Sequence, residues 1–194
     1  MKGIDVSCHN GIVDWHAVKH AGFDFAICRS SFGKSGIDDT FLDNVSAAHD
    51  AGLLCGAYHY SYALTPADAT QEALFCKQVI DDAGVLLELP VWFDIEDADA
   101  FKKRHGFIFS RRNITDICRA FLDFIKPLRC GVYASFSWFE DFIDWQSLNC
   151  PLWNAQWSKH DFLLADMWQF TDNFIIDGKP FDANILYDDV DTRR

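Results

Sequence analysis

The sequence lacks any long apolar run, since its hydrophobic stretches stay under ten residues before a polar residue interrupts them. A helix that crosses a bilayer needs about 20 such residues, so we expect no membrane insertion. A secretory signal is also missing: Met1-Lys2 is followed at once by Gly3-Ile4-Asp5, without an apolar core or a small-residue cleavage site. We therefore expect a chain that either stays in the cytoplasm until it is released or has had a secretion signal removed.

Basic residues are scarce, with 17 Lys and Arg against 29 Asp and Glu and a formal net charge of -12. Because phosphate binding depends on basic patches, nucleic acid is not an expected partner. No Gly-rich phosphate loop follows any apolar run, which argues against nucleotide binding.

Cysteines at metal-binding spacing are missing as well. The seven cysteines are odd in number and widely spaced, and no C-x-x-C occurs. Neither a zinc site nor a dense disulfide framework is expected, and most of the thiols should be reduced core residues. A catalytic cysteine is a weaker alternative, because no Cys-His signature accompanies it. No cofactor is expected.

What the chain does have is 49% hydrophobic residues in 194, enough for the core of one domain. Short apolar runs read as eight strands, and most are apolar throughout rather than alternating, which is typical of parallel strands covered on both faces. These predicted strands are residues 3–7, 23–30, 53–60, 90–95, 130–134, 152–157, 166–171 and 181–187.

Helical patterns separate the first five strands and then nearly cease. They cover residues 14–21, 39–51, 65–83, 110–125 and 138–143, with Asp14 and Thr65 as predicted N-caps and glycines after two of the ends. Five β/α units followed by three strands favour a closed or nearly closed barrel of parallel strands, with a doubly wound open sheet as the alternative. Residues 1–188 should form one domain, and residues 189–194 a charged tail that could begin a linker.

Acidic residues recur at the predicted carboxyl ends of strands, where barrels of this kind carry their active sites. Asp5 ends the first strand, Asp94 and Glu96 end the fourth, and Asp182 lies on the last. Asp94 and Glu96 are two residues apart, so their side chains point to the same face. Two close, partly desolvated carboxylates acquire unequal pKa values, as glycoside hydrolysis requires. Taken alone, such a pair is more often a solvated strand end, and a metal site built from Asp5, His9, Asp94 and Glu96 stays open, although no ligand spacing supports it.

Seven segments, in order, resemble glycoside hydrolase family 25, the lysozymes found in phage endolysins, Streptomyces and fungi. They include Gly3-Ile-Asp-Val-Ser7, Gly56-Ala-Tyr-His-Tyr60, Leu89-Pro-Val-Trp-Phe-Asp-Ile-Glu96 and Trp168-Gln-Phe-Thr171. The resemblance runs from Gly3 to about Tyr187. It implies an irregular, TIM-like (β/α)5(β)3 barrel of class α/β that cleaves the β-1,4 bond from N-acetylmuramic acid to N-acetylglucosamine in bacterial peptidoglycan, as a monomer without metal.

The resemblance also implies residue roles. Glu96 is the expected general acid/base, Asp94 its partner, and Asp5 and Asp182 the other acidic residues of the cleft. The expected contacts to sugar and acetamide groups are Tyr60, Tyr62, Trp92, Tyr133, Gln156 and Gln169. Departures from the family pattern are Asn154, Trp157 and a long basic segment at residues 97–107.

Two mechanisms remain open from the sequence. In the first, which we favour, the substrate's own 2-acetamido oxygen attacks the anomeric carbon and Asp94 orients the acetamide. In the second, Glu96 donates the proton and an Asp activates water on the opposite face. The rival functions are a non-catalytic glycan-binding barrel, which should have lost an acidic residue, and a metal-dependent deacetylase or hydrolase.

Overall fold

A computed structural model describes residues 1–187, in which nine strands form one sheet that closes on itself. The sheet order is β1-β9-β8-β7-β6-β5-β4-β2-β3, and β1 also pairs with β2, so eight strands make a barrel and β3 extends β2 outside it. The strands are β1 (Lys2–Val6), β2 (Phe25–Phe32), β3 (Gly36–Ile37), β4 (Leu54–Tyr60), β5 (Val91–Asp94), β6 (Cys130–Ser135), β7 (Leu152–Ala155), β8 (Met167–Ile176) and β9 (Lys179–Leu186).

Six α-helices accompany these strands: α1 (Trp15–His20), α2 (Phe41–Asp50), α3 (Pro66–Ala83), α4 (Phe101–Arg104), α5 (Arg111–Phe124) and α6 (Phe136–Asp141). Single 3-10 turns cover Cys8–Asn10 and Trp145–Ser147. The predicted caps form, since the side chains of Asp14 and Thr65 accept hydrogen bonds from Ala17 N and Asp68 N. Gly84 ends α3 in the left-handed conformation. None of the helices in residues 1–187 has the length and apolar character that crossing a bilayer requires.

The expectation that all barrel strands are parallel is wrong for β9, which runs antiparallel to both β1 and β8. The cause is the two-residue turn Asp177-Gly178, in which both residues have positive φ, 47° and 76°. Such a turn sends the chain straight back as a hairpin, with no crossover helix to restore the parallel direction. The sequence analysis also missed the short elements β3 and α4. It ended the predicted strand at residue 171, whereas β8 continues to Ile176.

The hydrophobic core has two layers. Between the strands and the helices lies the larger one, which includes most of the cysteines; Cys28, Cys55, Cys76, Cys118 and Cys150 are buried, and none of the seven cysteines forms a disulfide. Inside the barrel lies a smaller cluster of Phe25, Ile27, Trp92, Trp153, Met167 and Leu186. The Trp92 and Trp153 rings meet edge to face with centroids 5.6 Å apart. This inner cluster fills the barrel beneath its mouth. The predicted tail at residues 189–194 and its boundary at 188 lie outside the described residues.

Gly131 tests how tightly the inner cluster is packed. A Cβ built there would lie 2.5 Å from Trp92 Cζ3 and 2.6 Å from the carbonyl oxygen of Pro151, and that backbone atom cannot easily move away. We expect Gly131→Ala to lower the free energy of unfolding by about 2 kcal/mol, because overpacking forces strands and rings apart. Urea denaturation measures this. Ser135→Ala on the same strand is the control and should stay within about 0.5 kcal/mol of wild type; equal stability of Gly131→Ala would contradict the packing.

Candidate active site

The carboxyl ends of the barrel strands open into a cleft of about 550 Å³. Seven of the ten predicted site residues line it, namely Asp5, Asp94, Glu96, Asp182, Tyr60, Tyr62 and Tyr133. In strand order β5 stands opposite β9 and β1, so Asp94 and Glu96 form one wall and Asp5 and Asp182 the other. The cleft is therefore acidic on two facing sides.

Three predicted contacts do not line the cleft. Trp92 is fully buried in the inner cluster, where its ring packs against that of Trp153. Gln156 turns its amide oxygen toward the loop after β7, where it accepts hydrogen bonds from Phe162 N and Asn154 Nδ2. Gln169 is buried and reaches the site through Asp5, which is described below. None of these three side chains is exposed to a bound sugar along the cleft.

On the β5 wall, Asp94 ends the strand and Glu96 follows two residues later. Asp94 is 5% exposed, and its Oδ1 has no hydrogen-bond partner within the described chain. Burial raises the pKa of Asp94 well above its usual range, and the Glu96 charge adds to the rise. Burial likewise raises the pKa of Glu96 to about 7, despite the opposing charge of Lys102. Glu96 is thus protonated for a large fraction of the time near neutral pH.

On the opposite wall, Asp5 and Asp182 are direct neighbours in the antiparallel β1–β9 pairing. Asp5 Oδ2 accepts hydrogen bonds from Asn184 Nδ2 at 2.7 Å and from Gln169 Nε2 at 3.1 Å. Burial raises the pKa of Asp5, while these amides and Asp182 oppose the rise. Burial and the Asp5 charge raise the pKa of Asp182 to about 8. The two carboxyls are coupled and titrate as a pair, and the pKa of about 8 means that Asp182 keeps its proton at neutral pH.

The amides that hold Asp5 are themselves fixed. Trp153 Nε1 donates to Asn184 Oδ1 at 2.9 Å, and Tyr133 OH donates to Gln169 Oε1 at 3.1 Å. These bonds leave both amide nitrogens to donate to the carboxylate. Sequence reasoning missed Asn184 as a site residue, although it lies two residues from Asp182 on the same strand and so shares its face.

Cleft residues that the sequence did not predict also include Arg29 and Asp99. Arg29 binds Asp38 at 2.8 Å and lies beside Cys8, so it is held at the rim by its own ion pair. Asp99 accepts from Phe101 N and lies in the basic segment after β5. No pattern in the sequence marked either of them, since Arg29 is a single basic residue on β2 and Asp99 depends on the loop after β5.

Comparison with known proteins places this arrangement in a family. The model of Glycosyl hydrolases family 25 matches residues 4–179. The chain belongs to this family. The autolytic lysozyme of Clostridium acetobutylicum is 30% identical over 159 residues, which are 81% of this chain and 45% of that protein. Lysozyme M1 of Streptomyces globisporus is 41% identical over 61 residues, 31% of this chain and 21% of that one. This family 25 chain thus spans less than half the length of either curated relative.

Solved structures agree on the fold. The CTP1L endolysin superposes with a TM-score of 0.80 at 28% identity, over 97% of this chain and 67% of the endolysin. A bacterial lysozyme from Streptomyces coelicolor gives 0.74 at 23% identity, over 96% of this chain and 91% of that one. The irregular α/β barrel expected for family 25 is therefore confirmed, with β9 reversed as described.

The raised pKa of Asp182 predicts that the free energy of unfolding depends on pH. A carboxyl with a raised pKa stabilises the fold fully below its unfolded value near 3.8 and loses that contribution as the pH rises through about 8. Asp182→Asn removes the buried charge, so we expect it to raise the free energy of unfolding by on the order of 2 kcal/mol at about pH 8.5 and by almost nothing at about pH 4.

Urea denaturation at both pH values measures the effect, with Asp39→Asn, an exposed acid outside the cleft, as the control. Equal gains for the two variants at high pH would show that net charge, rather than the pair, is responsible.

Proposed function

We propose that this family 25 domain is a peptidoglycan hydrolase that cuts the β-1,4 bond from N-acetylmuramic acid to N-acetylglucosamine. The observation that carries the proposal is Glu96, an acid with a pKa of about 7 in an open cleft, flanked by a more deeply buried carboxyl. A general acid works best when its pKa lies near the working pH. The names of the relatives, an autolytic lysozyme, lysozyme M1 and an endolysin, support the same bond class.

Glu96 is proposed to protonate the glycosidic oxygen as the bond to the anomeric carbon breaks. The developing oxocarbenium charge is then stabilised by the acidic walls on both sides of the cleft. Tyr60, Tyr62 and Tyr133 present rings and hydroxyls to the same cavity, where they can pack against sugar faces and bind hydroxyl or acetamide groups.

The substrate-assisted route is the one that the hydrogen bonding of the acids supports. Asp94 Oδ1 is unpartnered on the cleft wall and can accept the acetamide N–H, which turns the acetamide oxygen toward the anomeric carbon. The competing route needs a base across the cleft to take a proton from water. Asp182, whose pKa is about 8, already holds a proton at neutral pH, and Asp5 Oδ2 already accepts hydrogen bonds from two amides.

The two rival functions have less support. A non-catalytic glycan-binding barrel has no need for four acids in one cleft, where their charges destabilise the fold. A metal-dependent hydrolase needs converging ligands, and within residues 1–187 no three His, Cys, Asp or Glu side chains are arranged to hold an ion. Residues 1–188 are proposed to act as a monomeric catalytic domain on the wall, released from the cytoplasm or secreted, with residues 189–194 as a tail.

Glu96→Gln tests the proposal directly. Purified bacterial cell walls should lose turbidity and release new reducing ends with wild type, and the rate should fall by at least about 10³-fold in the variant, because Gln cannot donate a proton. The wild-type rate should also decline as the pH rises through about 7, where Glu96 loses that proton.

Glu140→Gln, an exposed change of the same kind, is the control and should retain full activity, and addition of EDTA should leave the wild-type rate unchanged. Near-full activity of Glu96→Gln, or no reducing ends from wild type, would refute the proposed function.

The mechanism has its own test. If the acetamide attacks, the first product keeps the β configuration at the anomeric carbon, which proton NMR of a fresh digest detects before mutarotation. Asp94→Asn should lower kcat by about 10²-fold or more, because the amide no longer stabilises the developing positive charge on the acetamide. An α-anomer as the first product would rule out the assisted route and favour water activation across the cleft.

A further inference from the structure

Lys102 is a buried cation directly behind the β5 wall of the cleft. It lies on α4, in the basic segment that the sequence set apart from the family pattern, and it is 1% exposed. Its ammonium donates to the carbonyl oxygen of Ser61 at 2.5 Å and to that of Glu96 at 2.9 Å. A lysine is almost never fully buried without partners, so this placement requires an explanation.

The two carbonyls that Lys102 contacts belong to neighbouring strand ends. Ser61 follows β4 and Glu96 follows β5, so the ammonium joins the two strands just where the cleft begins. The lysine itself is held from the other side, because its backbone N–H donates to Asp97 Oδ1 at 2.6 Å. The backbone that carries the Glu96 side chain is thereby fixed between a strand pair and a helical turn.

The charges that face the ammonium are carboxylates: Glu72 on α3, Asp94 on β5, Glu96 after it, and Asp97 before α4; α5 contributes the thiol of Cys118. Glu72 is already engaged, since it accepts from Ser61 Oγ at 2.7 Å and from Tyr62 N at 2.9 Å and pairs with His59 at 3.5 Å. The lysine charge therefore also acts on Asp94 and Glu96, and it lowers the pKa of both against the effect of burial.

We propose that Lys102 is a positioning residue for the glycosidase reaction, which fixes Glu96 across the ends of β4 and β5 and sets the pH range in which that carboxyl can exchange its proton. The inference rests on the proposed function. Without the lysine charge, Glu96 and Asp94 would hold their protons to higher pH, so Glu96 would be a weaker acid toward the leaving oxygen. Loss of the hydrogen bonds from Lys102 to Ser61 O and Glu96 O would also let the Glu96 backbone shift relative to the substrate.

Lys102→Met tests the inference, with Lys103→Met as the matched control. Lys103 is adjacent, exposed and of the same charge, so Lys103→Met changes the net charge and the composition of the segment by the same amount as Lys102→Met. Carboxyl-carbon NMR should show the Glu96 titration in Lys102→Met moved upward from about 7 by about one unit. The pH–rate profile for wall hydrolysis should move in the same direction, with kcat lowered by about tenfold and KM changed by less than about twofold. Lys103→Met should match wild type in both measurements.

The results separate this inference from the function on which it rests. If wild type hydrolyses walls and Lys102→Met keeps the wild-type titration and pH–rate profile, the role of Lys102 is refuted and the proposed function stands. If wild type releases no reducing ends, the proposed function fails, and the positioning role fails with it whatever the Glu96 titration shows. Should Lys102→Met not fold, the double variant Lys102→Met/Glu72→Gln restores charge balance around the site, and the same titration applies to it. A failure of both variants to fold would assign Lys102 to stability alone and overturn the positioning role.

Discussion

Four carboxyl groups enclosed at the mouth of one barrel are the constraint on which the rest of this structure depends. Taking a carboxylate out of water costs several kcal/mol, and placing others nearby adds repulsion. Burial is the largest cause of the raised pKa at Asp5, Asp94, Glu96 and Asp182 alike. The fold tolerates the cluster because protons offset part of the charge on both walls, amide donors do so at Asp5, and the buried lysine does so behind Glu96.

The two walls are arranged differently. Asp5 receives two amide hydrogen bonds and is paired with Asp182, so groups within the protein stabilise its negative charge. On the β5 wall, Asp94 has an oxygen without a partner in residues 1–187, and the positive charge of Lys102 lies behind Glu96. Hydrogen bonds within the protein occupy the Asp5 carboxylate of the first wall, whereas Asp94 on the second wall keeps a free acceptor for a substrate. This asymmetry is the physical reason to place the proton transfer on β5.

The sequence predicted most of the scaffold because its signals are local. Caps such as Asp14 and Thr65, and the apolar strand runs, depend on neighbours a few residues away, and the observed helices and strands follow them. The direction of β9 was missed, since it depends on a two-residue turn whose strands did not read as a hairpin. That reversal matters for the site, because the antiparallel register places Asp182 beside Asp5 and brings Asn184 within reach of the same carboxylate.

The four acids of the site were also predicted, although position along strands alone could not say which side chains reach the cleft. Trp92 shares the inward face of β5 with Asp94, yet its large ring fills the barrel interior instead of lining the mouth. Lys102 was noted only as part of a basic stretch, because in sequence a buried lysine looks the same as the exposed Lys103 beside it. The difference arises from one helical turn after β5. It orients Lys102 inward to the strand ends and Lys103 outward to solvent, so the charge that acts on Glu96 comes from α4 rather than from the barrel strands.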